Sequence, residues 1–431
     1  MKSISTLIVV LLITAFFFPL FGQAPPHPRL LEKIRNGEIE KPYVLKNIEN
    51  IRASGVDEPW TSPNLRRMNE SLSNNAPQRL LGPALSPSGS WKALVILVQF
   101  SDKPAQVVAT SFDNLIFQNS PGTLRDYYQH VSYNTLDIVT VNLPSSIGWV
   151  TAPHSYSYYV NHDNGFGSYP QNAQKLVEDV VALANSAVDY SQYDNDGDGY
   201  VDALFIAHTG PGAEFTGSLD DIWSHAWVTS TPQSYDGVSI FHYSMEPEYW
   251  LNPGDMTIGV YAHELGHAAF GLPDLYDTDY SSEGLGNWSL MAAGSWNGVG
   301  PLTMGESPSY PDAWCRIQMG YATSTVVTTN VISQAIPEVE DNAAIYKLWR
   351  NGIPGSQYFL VENRQHTSYD QYLPDGGLLI YYVDESVSNN NHEWYPGHTS
   401  SGHYRVALEQ ADGLYNLEHH NNRGDAGDCY P

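Results

Sequence analysis

His263-Glu264-Leu265-Gly266-His267 combines two imidazoles and a carboxylate at a spacing that suits one kind of chemistry. On a helix, residues four apart lie on the same face, so His263 and His267 converge on one metal ion while Glu264, one position round, reaches a water held there. Zinc prefers a tetrahedral set of nitrogen, oxygen or sulfur donors, and catalytic sites use three protein ligands with the fourth position open. The implied reaction is hydrolysis: zinc activates the water and polarises a carbonyl, and Glu264 takes the water's proton and passes it to the leaving amine. A buried helix with two core histidines is the plainer alternative.

The flanks favour the metal. Met256 to Ala262 mixes apolar and small residues as a buried helix would, with Asp255 or Thr257 available as its N-terminal cap. Gly271 followed by Pro273 stops the helix where the chain must turn to bring in another ligand. Asp274, three residues beyond Gly271, is the carboxylate that such a turn folds back onto the metal. Its competitor is Glu283, which a thermolysin-like arrangement would place on a second helix, but residues 281–287 are too glycine-rich for that helix. Asp277 is a further alternative.

A second metal signal lies upstream. Asp194, Asp196 and Asp198 at positions one, three and five, Gly199 at six, Tyr200 at seven and Asp202 at nine match the first half of an EF-hand-type calcium loop. Phe205 stands at position twelve in place of the bidentate glutamate, so Asp202 or a remote group completes the shell. An exposed acidic turn is the bland reading. His208, His225 and His242 are weaker candidates for cleft contacts, and Trp223 and Trp227 read as core or wall aromatics. Asp277, Asp279 and Glu283 form an acidic loop that reads as solvated rather than cation-binding.

The elements that must position these residues follow from the rest of the chain. At 431 residues, with 42% hydrophobic and 12% aromatic residues, it is long enough for two globular domains. Lys and Arg number 20 against 47 Asp and Glu, a net charge of −27 that repels phosphate backbones and excludes nucleic acid as a partner. Lys2 precedes an apolar run from Leu7 to Phe21, with Gly22 or Ala24 as the small residue before cleavage, which reads as an export signal over 1–22. Past it, no stretch is long and apolar enough to span a membrane. Residues 23–89, rich in Pro, Asn and Ser with one amphipathic stretch from Leu30 to Ile39, read as a propeptide or N-terminal extension outside the core. Cys315 and Cys429 make no disulfide scaffold, and two separate thiols is the simpler reading.

A folded domain is expected over 90–325. Ala93 to Phe100 reads as a strand buried on both faces. Thr123 to Val131 and Asn172 to Ala187 read as helices, and Leu136 to Leu143 and Ala203 to Ala207 as strands. Helices and strands mix without a strict βαβ rhythm, which points to an α+β domain. Over 326–431, strand-like runs at Ile345–Trp349, Tyr358–Glu362, Leu378–Val383 and Tyr404–Leu408 are separated by turn formers, giving a β-rich C-terminal domain, whole or incomplete.

With these residues in view, the chain resembles the immune inhibitor A family of secreted metallopeptidases. The resemblance rests on His263 to Asp277, Gly286 to Ala292, Asp221 to His225, Asn195 to Tyr200 and, near the C-terminus, Tyr358 to Arg364. It implies a metzincin-like catalytic domain with a twisted mixed sheet and an active-site helix. Glycine, aspartate as third zinc ligand and a methionine turn beneath the metal then fall on Gly271, Asp274 and Met291. One departure stands out: Ala268, Ala269 and Phe270 separate His267 from Gly271, one residue more than the family's spacing. An extra helical residue turns the exit by about 100° and lifts it by about 1.5 Å. A π-bulge would absorb it.

The expectation is a secreted zinc endopeptidase acting on protein or peptide substrates, made as a zymogen and stabilised by calcium. Its rivals are an exported adhesion or binding protein that keeps an inactive metallopeptidase fold, which the intact Glu264 opposes, and a zinc amidase acting on cell-wall amides.

Overall fold

The computed structural model describes residues 23–54, 56, 87–299, 304–399 and 402–431, so the export signal expected over 1–22 lies outside the described residues. The first described segment forms helices α1 (Pro28–Arg35), α2 (Tyr43–Lys46) and α3 (Ile48–Ala53). Its Leu30, Val44, Leu45, Ile48, Ile51 and Val56 are buried in the same cluster as the sheet residues Leu94, Ile96 and Val98. The expectation that this extension stays outside the core is therefore overturned. Its few apolar residues are scattered among prolines and charges, so composition hides a face that makes sense only against a partner surface.

The first unit is built on β1 (Gly89–Lys92), β2 (Leu94–Gln99), β3 (Leu136–Val139), β4 (Trp149–Thr151), β5 (Leu204–Pro211), β6 (His225–Tyr235) and β7 (Val238–Tyr249). Five of these form a sheet in the order β4-β2-β5-β7-β6, parallel except for the antiparallel β6–β7 pair. β1 pairs with β3 separately. The apolar run at Ala93 to Val98 divides by alternation: Ala93, Val95 and Leu97 face one core, and Leu94, Ile96 and Val98 face the other. Helix α4 (Leu124–Val131), capped by Thr123, lies in the first core, and α5 (Ala173–Ala184), capped by Asn172, lies in the second.

Helix α6 (Gly259–Phe270) carries the two histidines in the first core and is buried all round except at Ala268. It begins three residues later than Met256, where its apolar stretch starts, and takes no side-chain cap. Asp255 instead accepts from the N–H groups of Trp250, Leu251 and Asn252, and Thr257 bonds Met304 and the Trp250 indole, so both expected caps are spent on the loop before the helix.

The second unit is a five-stranded sheet, β8 (Thr323–Val326), β9 (Ala344–Trp349), β10 (Gln357–Arg364), β11 (Gly377–Asp384) and β12 (Val406–Leu408), in the order β12-β11-β10-β9-β8. β8 starts at Thr323, so this sheet straddles the expected boundary at 326. Its inner face, including Leu360, Leu379, Tyr381 and Val406, joins the same hydrophobic cluster as Leu265, Met291 and Trp288. One core thus runs through both units. Among the described residues no helix is long and apolar enough to cross a membrane.

A buried charge network pins β10 to the loops beneath α6. Arg364 makes a bidentate pair with Asp370 at 2.5 and 2.6 Å and donates to Glu362 at 3.1 Å and to the Trp288 and Tyr310 carbonyls. Arg316 and the Tyr381 hydroxyl also meet Glu362, and all four charged side chains are sealed from solvent. Removing one partner strands the others in a medium that cannot solvate them. Arg364→Ala should therefore cost about 3–5 kcal/mol, read as a lower urea midpoint; an unchanged midpoint would contradict this role.

Candidate metal centre

Helix α6 places His263 and His267 one turn apart, and their Nε2 atoms approach to 3.0 Å with the rings nearly perpendicular, at 83°. Each Nδ1 faces a backbone carbonyl, Leu290 at 2.9 Å for His263 and Leu272 at 2.7 Å for His267. A carbonyl can only accept, so both Nδ1 atoms carry a proton and each Nε2 is left to face Asp274 and the other ring. Asp274 Oδ1 lies 3.1 Å from the first Nε2 and 3.4 Å from the second. All three side chains are buried.

The turn that brings Asp274 back is a regular helix ending. Helix α6 stays α-helical through Phe270, and Gly271 adopts the left-handed conformation (φ 62°, ψ 29°). The Gly271 N–H bonds the His267 carbonyl at 2.9 Å and the Leu272 N–H reaches back to Gly266 at 3.1 Å, in the manner of a Schellman ending. No π-bulge interrupts the helix. The additional residue is taken up by one more helical position and by the Leu272–Pro273 turn, whose Leu272 carbonyl also orients His267.

The floor of the site is the segment around Met291. A side chain at Gly266 would put its Cβ 2.6 Å from the Met291 sulfur, so only glycine lets the helix settle on that methionine. The Met291 carbonyl accepts from the Leu275 N–H at 2.7 Å, tying the floor to the loop that carries Asp274. Met291 itself touches none of the three polar groups through a donor or acceptor; its role is packing.

Glu264 is buried, and neither carboxylate oxygen finds a hydrogen-bond partner among the described residues. Burial holds its carboxyl well above the usual carboxylate range, opposed by His263 and reinforced by Glu246 and Asp274. Glu246, on β7 against the helix, is equally buried, and burial holds its carboxyl well above the usual range, opposed by Ser244 and reinforced by Glu214. Sequence reasoning passed over Glu246, because a lone glutamate in a strand carries no motif.

The other unforeseen neighbour is the chain's own N-terminal stretch. Gln23 donates its backbone N–H to Asp274 Oδ2 at 2.9 Å, and its carbonyl accepts from the Tyr276 hydroxyl at 2.6 Å. Trp223 donates from its indole to the Ala24 carbonyl at 3.0 Å, and Trp296 to the Pro25 carbonyl at 2.7 Å. Trp227 bonds the Ser54 carbonyl at 3.2 Å, so the two tryptophans read as wall aromatics both hold this segment. Arg35 lies 3.8 Å from Glu283.

The remaining candidates fall elsewhere. Glu283 is engaged by Arg423 at 3.2 Å and His420 at 3.0 Å, and Asp277 accepts from Ser281 and Ser282; neither stands with the two histidines. His208 and His225 are sealed in the interior, where burial pushes their pKa down to about 3 and about 4; His225 is spent on the Trp223 carbonyl and the Tyr243 hydroxyl. His242 sits in the β6–β7 ladder opposite Val228. Cys315 and Cys429 are both free thiols.

In the upstream loop, one carboxylate oxygen each from Asp194, Asp196 and Asp198 lie within 4.8 Å of one another. Asp194 also accepts the N–H groups of Gly197, Asp198 and Gly199, which fixes the turn. Asp202 accepts from the Asn195 N–H; burial and the neighbouring acids push its carboxyl up to about 7. Tyr200 bridges to Ser239, anchoring the loop on the edge of β7.

Comparison with known proteins gives matches over about half of the chain. Residues 109–322 match a family described as immune inhibitor A peptidase M6, catalytic domain. Over 268 residues the chain is 31% identical to immune inhibitor A of Bacillus thuringiensis subsp. alesti, which covers 48% of this chain and 36% of that protein. It is 30% identical over 227 residues to the pre-pro-metalloprotease PrtV of two strains of Vibrio cholerae serotype O1, covering 45% of this chain and 23% of the relative. The chain therefore spans only about a quarter to a third of the length of the relatives it matches, and the histidine pair, Glu264, Asp274 and Met291 lie within residues 109–322. Over about half of its length the chain is thus similar to the immune inhibitor A-like metallopeptidases.

Proposed function

We propose that the chain is a secreted, zinc-dependent endopeptidase with a metzincin-like catalytic domain, made as a latent precursor. The observation that carries this reading is the meeting of His263 Nε2, His267 Nε2 and Asp274 Oδ1 at 3.0–3.4 Å inside a sealed shell. A tetrahedral zinc with bonds of about 2.0–2.1 Å has edges of roughly 3.3–3.4 Å, so the three donors sit at nearly the spacing a zinc ion asks for. Without a cation, only a proton shared with Asp274 would hold two imidazole nitrogens and a carboxylate at that distance. The donor set fits zinc, with His263, His267 and Asp274 holding it.

When bound, zinc supplies Lewis-acid polarisation of the scissile carbonyl and lowers the pKa of water. Glu264, one helical position from His263 and free of competing hydrogen bonds, is placed to take the water's proton and return it to the leaving nitrogen. Leu290 and Leu272 carbonyls hold the imidazoles in the tautomer that leaves Nε2 for the metal, and outer partners of this kind raise ligand basicity. Latency is supported by the Gln23–Pro25 stretch, whose backbone occupies the space beside Asp274 where a substrate would lie. Export is supported by the apolar run Leu7 to Phe21.

Calcium is proposed for the Asp194–Asp202 loop, where a divalent cation would relieve the repulsion among the three clustered carboxylates and the neighbouring Asp202. An inactive fold kept for adhesion is disfavoured, since Glu264 remains in place.

Casein digestion tests the reading: cleavage by the processed, zinc-loaded protein that stops with a zinc chelator supports it, and none would overturn it. Glu264→Gln should lower turnover by about 10²–10⁴-fold with zinc still bound; full activity would remove its assigned role. Asp274→Ala should weaken zinc binding by more than the roughly 10–100-fold that loss of an outer partner costs; undiminished metal content would show that another residue is the third ligand. For the loop, calcium at about a hundred times its dissociation constant should add about 2.7 kcal/mol of stability. That appears as a rise in Tm that Asp194→Asn abolishes, and a calcium-insensitive melt would rule the site out.

A further inference from the structure

The segment lying in the cleft is held in an unusual way. Gln23 to His27 belongs to no strand or helix, and three consecutive carbonyls, those of Gln23, Ala24 and Pro25, each accept from a different side chain: Tyr276, Trp223 and Trp296. These donors come from separate places, the loop after α6, the stretch before β6 and the turn beyond Met291, and all three are buried. A sheet edge would hold an extended peptide through its N–H groups as well as its carbonyls, yet Pro25 and Pro26 have no N–H to give. The backbone–backbone bond from the end of this stretch to the cleft wall is the His27 N–H on the Glu214 carbonyl at 2.8 Å.

The side-chain environment is equally specific. Ala24 is buried against Trp250, Val260 and Trp296, with Phe215, Met256 and Met304 at the margin. The Trp250 and Trp296 rings lie 4.9 Å apart at 60°, and the His27 ring enters between Phe215 at 4.7 Å and Trp296 at 4.9 Å. Trp250 is itself fixed by its indole bond to Thr257 at 3.1 Å, so the cage is rigid. Proline holds φ near −65°, and His27, which caps α1, has φ −55°, ψ 138°, within the polyproline region. Indole and phenol donors to carbonyls in an aromatic-lined groove are the general means by which proteins read that conformation.

We propose that the cleft selects peptide substrates in the polyproline conformation. Tyr276, Trp223 and Trp296 take successive main-chain carbonyls, and the Phe215–Trp250–Trp296 cage takes a ring-bearing residue two positions beyond the carbonyl bonded by Trp296. This rests on the peptidase reading, because it is the backbone of Gln23 beside Asp274 that aligns the ladder with the reacting centre. The three donors address atoms every peptide has, but only a segment that needs no partner for its N–H groups leaves nothing unsatisfied there. Proline-containing segments meet that condition and enter with less conformational entropy to lose. Substrate and the chain's own segment compete for the same three donors.

That competition can be measured on the full zinc-loaded chain without turnover. The probe is exchange of the His27 amide, and the competitors are Ala-Pro-Pro-His and Ala-Ala-Ala-His peptides with blocked ends. Tens of millimolar are needed, because a tethered segment has an effective concentration in the millimolar range. The Arg35→Ala background, which removes the contact with Glu283, loosens the tether. The proline peptide should speed exchange by at least about tenfold more than the alanine peptide, since each donor left unmatched costs several-fold in affinity. Trp223→Phe, which keeps the ring and deletes the donor, should erase most of that difference. Equal effects of the two peptides, no effect of either, or an undiminished difference in Trp223→Phe would overturn the proposal. The peptidase reading would be untouched, because that stands or falls on chelator-sensitive casein cleavage.

Discussion

Two imidazole nitrogens 3.0 Å apart, facing a carboxylate inside a shell closed to solvent, are the constraint on which the rest of the structure depends. Left without a cation such a cluster must be held by a proton, and burial forbids water from solvating it. The surrounding fold is spent on holding it. Leu290 and Leu272 fix the ring tautomers, Gly271 turns the chain in the left-handed region, and Gly266 lets the helix lie on the Met291 sulfur. A cation turns each of these costs into a stabilising contact.

The same demand explains why the second sheet is inseparable from the first unit. Arg364 on β10 bonds the Trp288 carbonyl two residues before Leu290, whose own carbonyl orients His263. A buried ion network reaching from the C-terminal sheet therefore supports the floor of the metal centre. It also gives a physical meaning to the Tyr358–Arg364 stretch, which carries two of the network's four charged groups. The N-terminal segment is bound from the other side, with its helices in the sheet's second core and its first residues against Asp274.

Much of the site was legible in the sequence because it is local. His263, Glu264 and His267 share one helix, and Gly271 and Asp274 follow within a turn, so periodicity and turn chemistry carry the information. The strand at Ala93 to Val98 and the capped helices after Thr123 and Asn172 were visible for the same reason. What escaped depends on distant contacts. Gln23 meets Asp274 across 251 positions, and the indoles of Trp223 and Trp296 meet carbonyls across 199 and 271. No periodic pattern records such pairs. Glu246 was hidden because its meaning comes only from Glu264 beside it. The β6–β7 hairpin did leave a signal, Asp236-Gly237 with φ 53° and 85°, but its first strand, rich in Thr, Ser, Gln and Pro, does not look like one. The helix start was misplaced because Asp255 and Thr257, good caps in isolation, are drawn to Trp250 and Met304 instead.

The central claim is that His263, His267 and Asp274 together hold one zinc ion. X-ray absorption at the zinc edge of the purified full chain tests it most directly. The account predicts one zinc per chain in a shell of nitrogen and oxygen only, with two imidazoles at about 2.0–2.1 Å and a carboxylate oxygen at about 2.0–2.2 Å that is lost in Asp274→Ala. A sulfur shell near about 2.3 Å, fewer than two imidazoles, or a spectrum indifferent to Asp274→Ala would contradict it.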